Sequence, residues 1–139
     1  MTEKVSFGNK NQPFYELSPT YKSKFVMYNR TWDSLLQFWV VHTFEDYDIQ
    51  RKLLDIRGSN KMLSYAKKCG FIDLGSIDKE LFLESIHEAF VQDKERGFIL
   101  MSTGSAELIY NSSKSYLTEN NRYGRILMKM RHIIAEELK

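Results

Sequence analysis

The chain has 139 residues, a formal net charge of +2, and 42% hydrophobic and 14% aromatic residues. That is one folded domain, 1–139, long enough to bury a real core, and it excludes a disordered chain. The small charge gives no general case for nucleic-acid binding, which shows as a concentrated basic surface.

No internal repeat or low-complexity segment divides the chain. Both prolines, Pro13 and Pro19, lie in the first stretch, which reads as loop and short strand. Lys24 to Tyr28 has strand character, and Asn29-Arg30 follows as a tight turn. Thr31 or Asp33 can cap a helix through Ser34 to Phe44. That segment is apolar nearly all round and therefore central. Its β-branched and aromatic content also permits a strand, but its length favours helix. Asp46 to Asp55 is polar, with Tyr47, Ile49, Leu53 and Leu54 as an intermittent apolar face. Ser59 or Asn60 caps a short helix, Lys61 to Lys68, which Gly70 closes. Ser76 or Asp78 caps a clearer helix, Lys79 to Gln92. Gly97 to Ser102 is a short apolar segment, broken by Thr103-Gly104-Ser105, and Glu107 to Tyr110 suits a strand. The last helix runs from near Asn120 to about Leu138. Its apolar stripe includes Tyr123, Ile126, Leu127, Met130, Ile133 and Ile134. The fold class is mainly α with two or three short β-strands, an α+β arrangement.

The one cysteine, Cys69, permits no intramolecular disulfide, so a reducing, cytoplasmic location is expected. His42, His87 and His132 lack metal-ligand spacing, and no metal or cofactor is expected. The N-terminus has no apolar core of signal-peptide length, and no apolar run approaches transmembrane length, so no membrane partner is expected. Phosphate-loop, dinucleotide, zinc-protease and serine-elbow strings are absent.

Several residues still have chemistry to offer. Arg122, Arg125, Lys129 and His132 form either a phosphate-binding face or an ordinary solvated one. Asn120, Asn121 and Arg122 stand where a helix start receives an anion, unless Asn120 simply caps the helix. Trp32 precedes a helix beside polar residues and is a candidate to stack on a ring. His42 is either a general base or a hydrogen-bonded core histidine. Ser102-Thr103-Gly104 either holds a ligand oxygen or makes a turn.

Four phrases occur in one order: Pro13 to Tyr21, Trp32 to Phe44, Ala89 to Asp93 with Ile99 to Tyr110, and Glu119 to Arg131. Together they resemble the NADAR family, the YbiA-like N-glycosidase group, over nearly the whole chain. The positions of Trp32, Ser34, Phe44, Gly104, Asn121, Gly124, Leu127, Met128 and Arg131 match. The resemblance implies a single-domain YbiA-like fold. It also implies cleavage of N-glycosidic bonds, in early riboflavin intermediates or between ADP-ribose and guanine of nucleic acid. However, the family glutamate falls on Leu36, the family lysine on Thr43 and a strand-end glutamate on Tyr110. The family's Asp-x-x-Trp-Gly phrase has no counterpart in Ser112 to Thr118.

Such cleavage develops positive charge on the sugar, which a carboxylate stabilises or a lysine amine captures. Leu36 does neither, and Thr43 has no evident base. The expectation is a binding protein for an ADP-ribose-like or nucleotide ligand, or for a protein partner. Its ligand contacts would be Trp32, Ser34, Asn121 and Arg122. The alternative is an active N-glycosidase or ADP-ribosyl glycohydrolase with relocated groups at His42, Glu45 or Glu119. Nucleic acid would then enter only as an ADP-ribosylated substrate. A nucleic-acid module acting through Arg122, Arg125 and Lys129 would show salt-dependent affinity.

Overall fold

A computed structural model describes residues 3–111, 117 and 119–139. In chain order these form β1 (Lys4–Phe7), a 3-10 turn (Tyr15–Leu17), β2 (Phe25–Met27), β3 (Arg30–Trp32) and α1 (Leu35–Val41). Then follow α2 (Tyr47–Asp55), α3 (Ser59–Lys68), α4 (Lys79–Gln92), α5 (Lys94–Ser102), β4 (Glu107–Tyr110), a second 3-10 turn (Glu119–Asn121) and α6 (Arg122–Glu137). The α+β class is as expected, but the described residues hold four strands, in two separate pairs. The two strands missing from the sequence reading, β1 and β3, are only four and three residues long, too short for alternation to show.

β2 and β3 make a hairpin in which Met27 pairs with Arg30. The two loop residues, Tyr28 and Asn29, are both left-handed (φ 55° and 59°), the type I′ geometry that matches strand twist. The Gln92 side chain extends this hairpin. It accepts from the Val26 amide at 2.7 Å and donates to the Val26 carbonyl at 2.8 Å, fastening β2 to the end of α4.

α1 is shorter than the sequence implied. Thr31 is taken up in β3, and Ser34 is the cap, its hydroxyl accepting from the Gln37 amide. The helix ends at Val41 because Thr43 Oγ1 donates to the Val40 carbonyl and His42 Nδ1 lies 2.7 Å from the Phe38 carbonyl oxygen. All seven of its residues are buried, so it is the central element. α2 forms where only an intermittent apolar face was legible. The Asp46 carboxylate caps it by accepting from Asp48 and Ile49 amides. α3 starts at Ser59, after Gly58 at φ +92°, without a side-chain cap. It closes as expected at Gly70, where the Phe71 amide reaches the Ala66 carbonyl and the Gly70 amide the Lys67 carbonyl.

Gly97 to Ser102 proves to be the body of helix α5. Asp93 caps it through the Arg96 amide, so its first turn lies in Lys94–Arg96, outside the apolar run. β1 pairs in parallel with β4, from Lys4 opposite Glu107 to Phe7 opposite Tyr110. α6 lies across β4. Its start is one correction to the sequence reading: Asn120 and Asn121 are both left-handed (φ 54° and 53°), and the cap position falls on Asn121, whose side chain makes no cap hydrogen bond, rather than on Asn120. The core gathers around α1, with Trp39, Phe82, Phe90, Leu108, Tyr123 and Leu127 essentially inaccessible.

Candidate functional site

The sequence-predicted residues do not share one place. Trp32 is 4% exposed and lies in the core. Its indole N–H donates to the Met27 carbonyl at 3.0 Å, and its ring meets Phe38 edge-on at 4.8 Å and His42 at 5.3 Å. His42 is half-buried and stacks 4.1 Å from Phe38. The pair is an aromatic cluster beneath the hairpin, with no open ring face on Trp32 for a ligand. Asn121 works on backbone. Its Oδ1 accepts from the Tyr110 amide at 2.9 Å and its Nδ2 donates to the Leu108 carbonyl at 2.7 Å, which pins the start of α6 to β4. The Arg122 guanidinium sits 5.6 Å over the Phe82 ring. The Glu119 side chain and the segment 112–116 lie outside the described residues.

The three positions where family catalytic groups were expected are also dispersed. Leu36 is 1% exposed in the core. Thr43 lines a shallow cavity of about 260 Å³ with Phe44, Phe71 and Ile72. Tyr110 is buried against Phe7 and Tyr123. The Ser102–Gly104 segment is a turn in which both hydroxyls donate to carbonyls of α5, and Arg131 Nη1 donates to Thr103 Oγ1 at 2.8 Å. Arg125, Lys129 and His132 are exposed along α6.

Of the predicted contacts, Ser34 alone lines a depression formed among the described residues by the loop after β1, the start of α1 and the start of α3. This is a cleft of two joined lobes. The smaller, about 190 Å³, has Asp33, Ser34 and Gln37 on one side and Ile56 and Met62 on the other. The larger, about 690 Å³, is walled by Tyr15, Thr20 and Tyr21 from the loop after β1 and by Asn60 and Lys61 of α3. Lys22, Arg57, Gly58 and Ser59 belong to both lobes and mark the junction.

Charge in the cleft is one-sided. Lys10, Lys22, Lys24, Arg57 and Lys61 line it, and Asp33 is the one carboxylate among its lining residues. Arg57 Nη1 lies 3.7 Å from Asp33 Oδ2, an exposed pair of small energetic weight. The first turn of α3 also lines the cleft, and its amides have no partner within the helix. With no side-chain cap at Gly58, those amides and the positive end of the helix dipole add to the same potential. The overall charge of +2 concealed this concentration, because the five cations are spread from position 10 to 61 and only the fold gathers them.

The aromatic wall is held from within. Tyr15 Oη lies 3.0 Å from Thr20 Oγ1, and the Tyr15 and Tyr21 rings meet edge-to-face at 5.7 Å. Burial, with Asp93 and Glu16 nearby, pushes the Tyr21 phenol up, so it stays neutral. Ser18 Oγ donates to the Gly8 carbonyl, and Tyr123 Oη donates to the Leu17 carbonyl at 2.7 Å. Burial raises the Tyr123 phenol far above its usual value, so it too remains a donor. Among the described residues no cluster of three metal-ligating side chains occurs.

No family model matches this sequence, and no curated protein matches it. The architecture is decisive at the level of fold: a helix-rich α+β domain with a parallel strand pair and a separate hairpin. It is the fold of the E. coli protein YbiA. The NMR structure of that protein matches with a TM-score of 0.85, covering 99% of this chain and 88% of that one at 16% identity. The YbiA-like fold implied by the ordered phrases is therefore present. Among the described residues no helix is long and apolar enough to cross a membrane.

Proposed function

We propose that this protein binds a phosphorylated nucleotide of ADP-ribose type in the two-lobed cleft and does not hydrolyse it. The observation that carries this reading is the set of five cations converging on one cleft beside the open first turn of α3. Phosphates fit the junction at Lys22, Arg57 and Ser59. The smaller lobe offers the Ser34 hydroxyl, the Gln37 amide and the Asp33 carboxylate to a sugar or base. The larger lobe offers tyrosine faces, on which rings stack. Loss of catalysis follows from Leu36, Thr43 and Tyr110 standing where the family resemblance places its glutamates and lysine. Neither His42 nor Glu45 lines the cleft to replace them.

Titration calorimetry with ADP-ribose, ADP and riboflavin-pathway phosphoribosyl compounds tests the binding. Affinity for ADP-ribose should fall at least tenfold in Arg57→Glu and weaken with added salt. Failure of every one of these compounds to bind the wild type would remove the proposal. A second reading, residual N-glycosidase activity, rests on Asp33, the carboxylate that does face the cleft. Release of free base or ADP-ribose by the wild type, abolished in Asp33→Asn, would establish it in place of the first.

A further inference from the structure

Arg96 is a fully interior cation, 1% exposed, in the first turn of α5. Its guanidinium lies 4.4 Å over the Phe90 ring and 5.4 Å from the Tyr21 ring. Nε donates to the Glu16 carbonyl at 2.6 Å and Nη2 to the Ser18 carbonyl at 2.8 Å, while Nη1 has no hydrogen-bond partner among the described residues. Among those residues no carboxylate reaches ion-pair distance of it. Asp93, three residues earlier, is spent on the Ser23 hydroxyl and the Arg96 amide. A buried arginine without a paired carboxylate is costlier to keep than an apolar side chain of the same size. The two carbonyls it serves lie within the segment that carries Tyr15, Thr20 and Tyr21 into the cleft. Tight-turn bonds run there from Leu17 to the Phe14 carbonyl, from Ser18 to the Tyr15 carbonyl and from Tyr21 to the Ser18 carbonyl, and the Pro19 and Leu17 carbonyls accept from the Leu36 amide and Tyr123 Oη. Among the described residues, however, the Arg96 fork is the one contact that joins two carbonyls of this segment through a single side chain.

We infer that Arg96 is a positioning residue of the larger lobe: its forked donors fix the Glu16–Ser18 backbone and thereby the tyrosine wall that receives the ligand. It touches no ligand itself. The inference deepens the nucleotide-binding reading and rests on it for its ligand arm, but its backbone arm is independent. Arg96→Lys keeps the charge and loses the fork, whereas Arg96→Met loses both.

Amide hydrogen exchange is measured at Leu17, Ser18 and Tyr21 against the amides of α4 and α6, alongside binding of ADP-ribose and of inorganic pyrophosphate. In Arg96→Lys the three loop amides should exchange at least tenfold faster with the helices unchanged. ADP-ribose affinity should drop at least tenfold, while pyrophosphate, which needs only the junction cations, stays within about twofold. A core truncation of α6, Ile134→Ala, should lower global stability without this selective pattern. Should Arg96→Met fail to fold, Arg96→Lys decides. Wild-type loop protection in Arg96→Lys overturns the inference, as does an equal loss of affinity for both ligands. If the wild type binds neither compound, the ligand reading falls and the exchange pattern alone still decides whether Arg96 holds the wall.

Discussion

A methyl group added at Gly124 has no room. It would collide with the Leu108 carbonyl and with the Asn121 side chain that bridges to β4. Gly124→Ala should therefore cost about 1–3 kcal/mol or more through overpacking, read as a lower urea midpoint. Asn121→Ala should cost a comparable amount, since it removes the side-chain partner of the Tyr110 amide and of the Leu108 carbonyl together. The family resemblance marked both positions as matching. The sequence placed Asn121 at a ligand mouth because an asparagine before a helix looks the same whether it faces a phosphate or a strand edge. Arg96 was missed altogether, because a Lys-Glu-Arg run reads as solvated surface. What buries it, the carbonyls of Glu16 and Ser18, stands 80 and 78 residues away.

At the scale of elements, the ends decide more than the middles. Ser34 caps α1, and Ser34→Ala should cost about 1 kcal/mol in thermal or chemical unfolding. α4 and the end of α6 are joined by His87, whose Nε2 lies 2.7 Å from one Glu137 oxygen and whose Nδ1 lies 3.3 Å from Glu88. Burial works to lower the His87 pKa, but the bonds and charges of Glu137 and Glu88 outweigh it, and the net shift is upward from 6.5. The stabilisation is thus complete below about pH 6.5 and disappears as pH rises through the higher folded value. His87→Phe should flatten that part of the pH–stability curve, measured by urea unfolding between pH 6 and 8. Asp93 titrates in the opposite sense. Burial raises its pKa, but hydrogen bonds from Ser23 and the Arg96 amide, with the Arg96 charge, bring it below 3.8. Its contribution is present above that pH and is lost as acid takes it through the lower folded value. Long periodic helices such as α4 were legible because one period governs fourteen residues. α2 and α5 were not, because their helical character depends on the Asp46 and Asp93 caps as much as on pattern.

For the whole molecule, the class and the order of most elements could be read from hydrophobic period and turn residues, and the particular fold from the ordered phrases. The cleft could not. Its cations arrive from the loop after β1, the strand approach at Lys22 and Lys24, the α2–α3 turn and the start of α3. No window of sequence contains them together. The same dispersal makes a prediction: reversing Lys24 or Arg57 singly should weaken anion binding without shifting the melting temperature by more than a degree or two, because both are exposed.

The parallel pairing of β1 with β4 has a consequence for biosynthesis. Lys4 has Glu107 as its partner, so the first strand leaves the ribosome with nothing to pair with until about a hundred further residues have been added. At roughly 5–20 residues per second, that is a wait of about 5–20 s with a bare strand edge. The helices around α1 can assemble in that interval, but the cleft cannot take final form. Its larger lobe begins at Gly8, directly after the waiting strand. Ligand binding during synthesis should accordingly switch on late, with the emergence of β4 rather than with that of the last cleft residue, Met62.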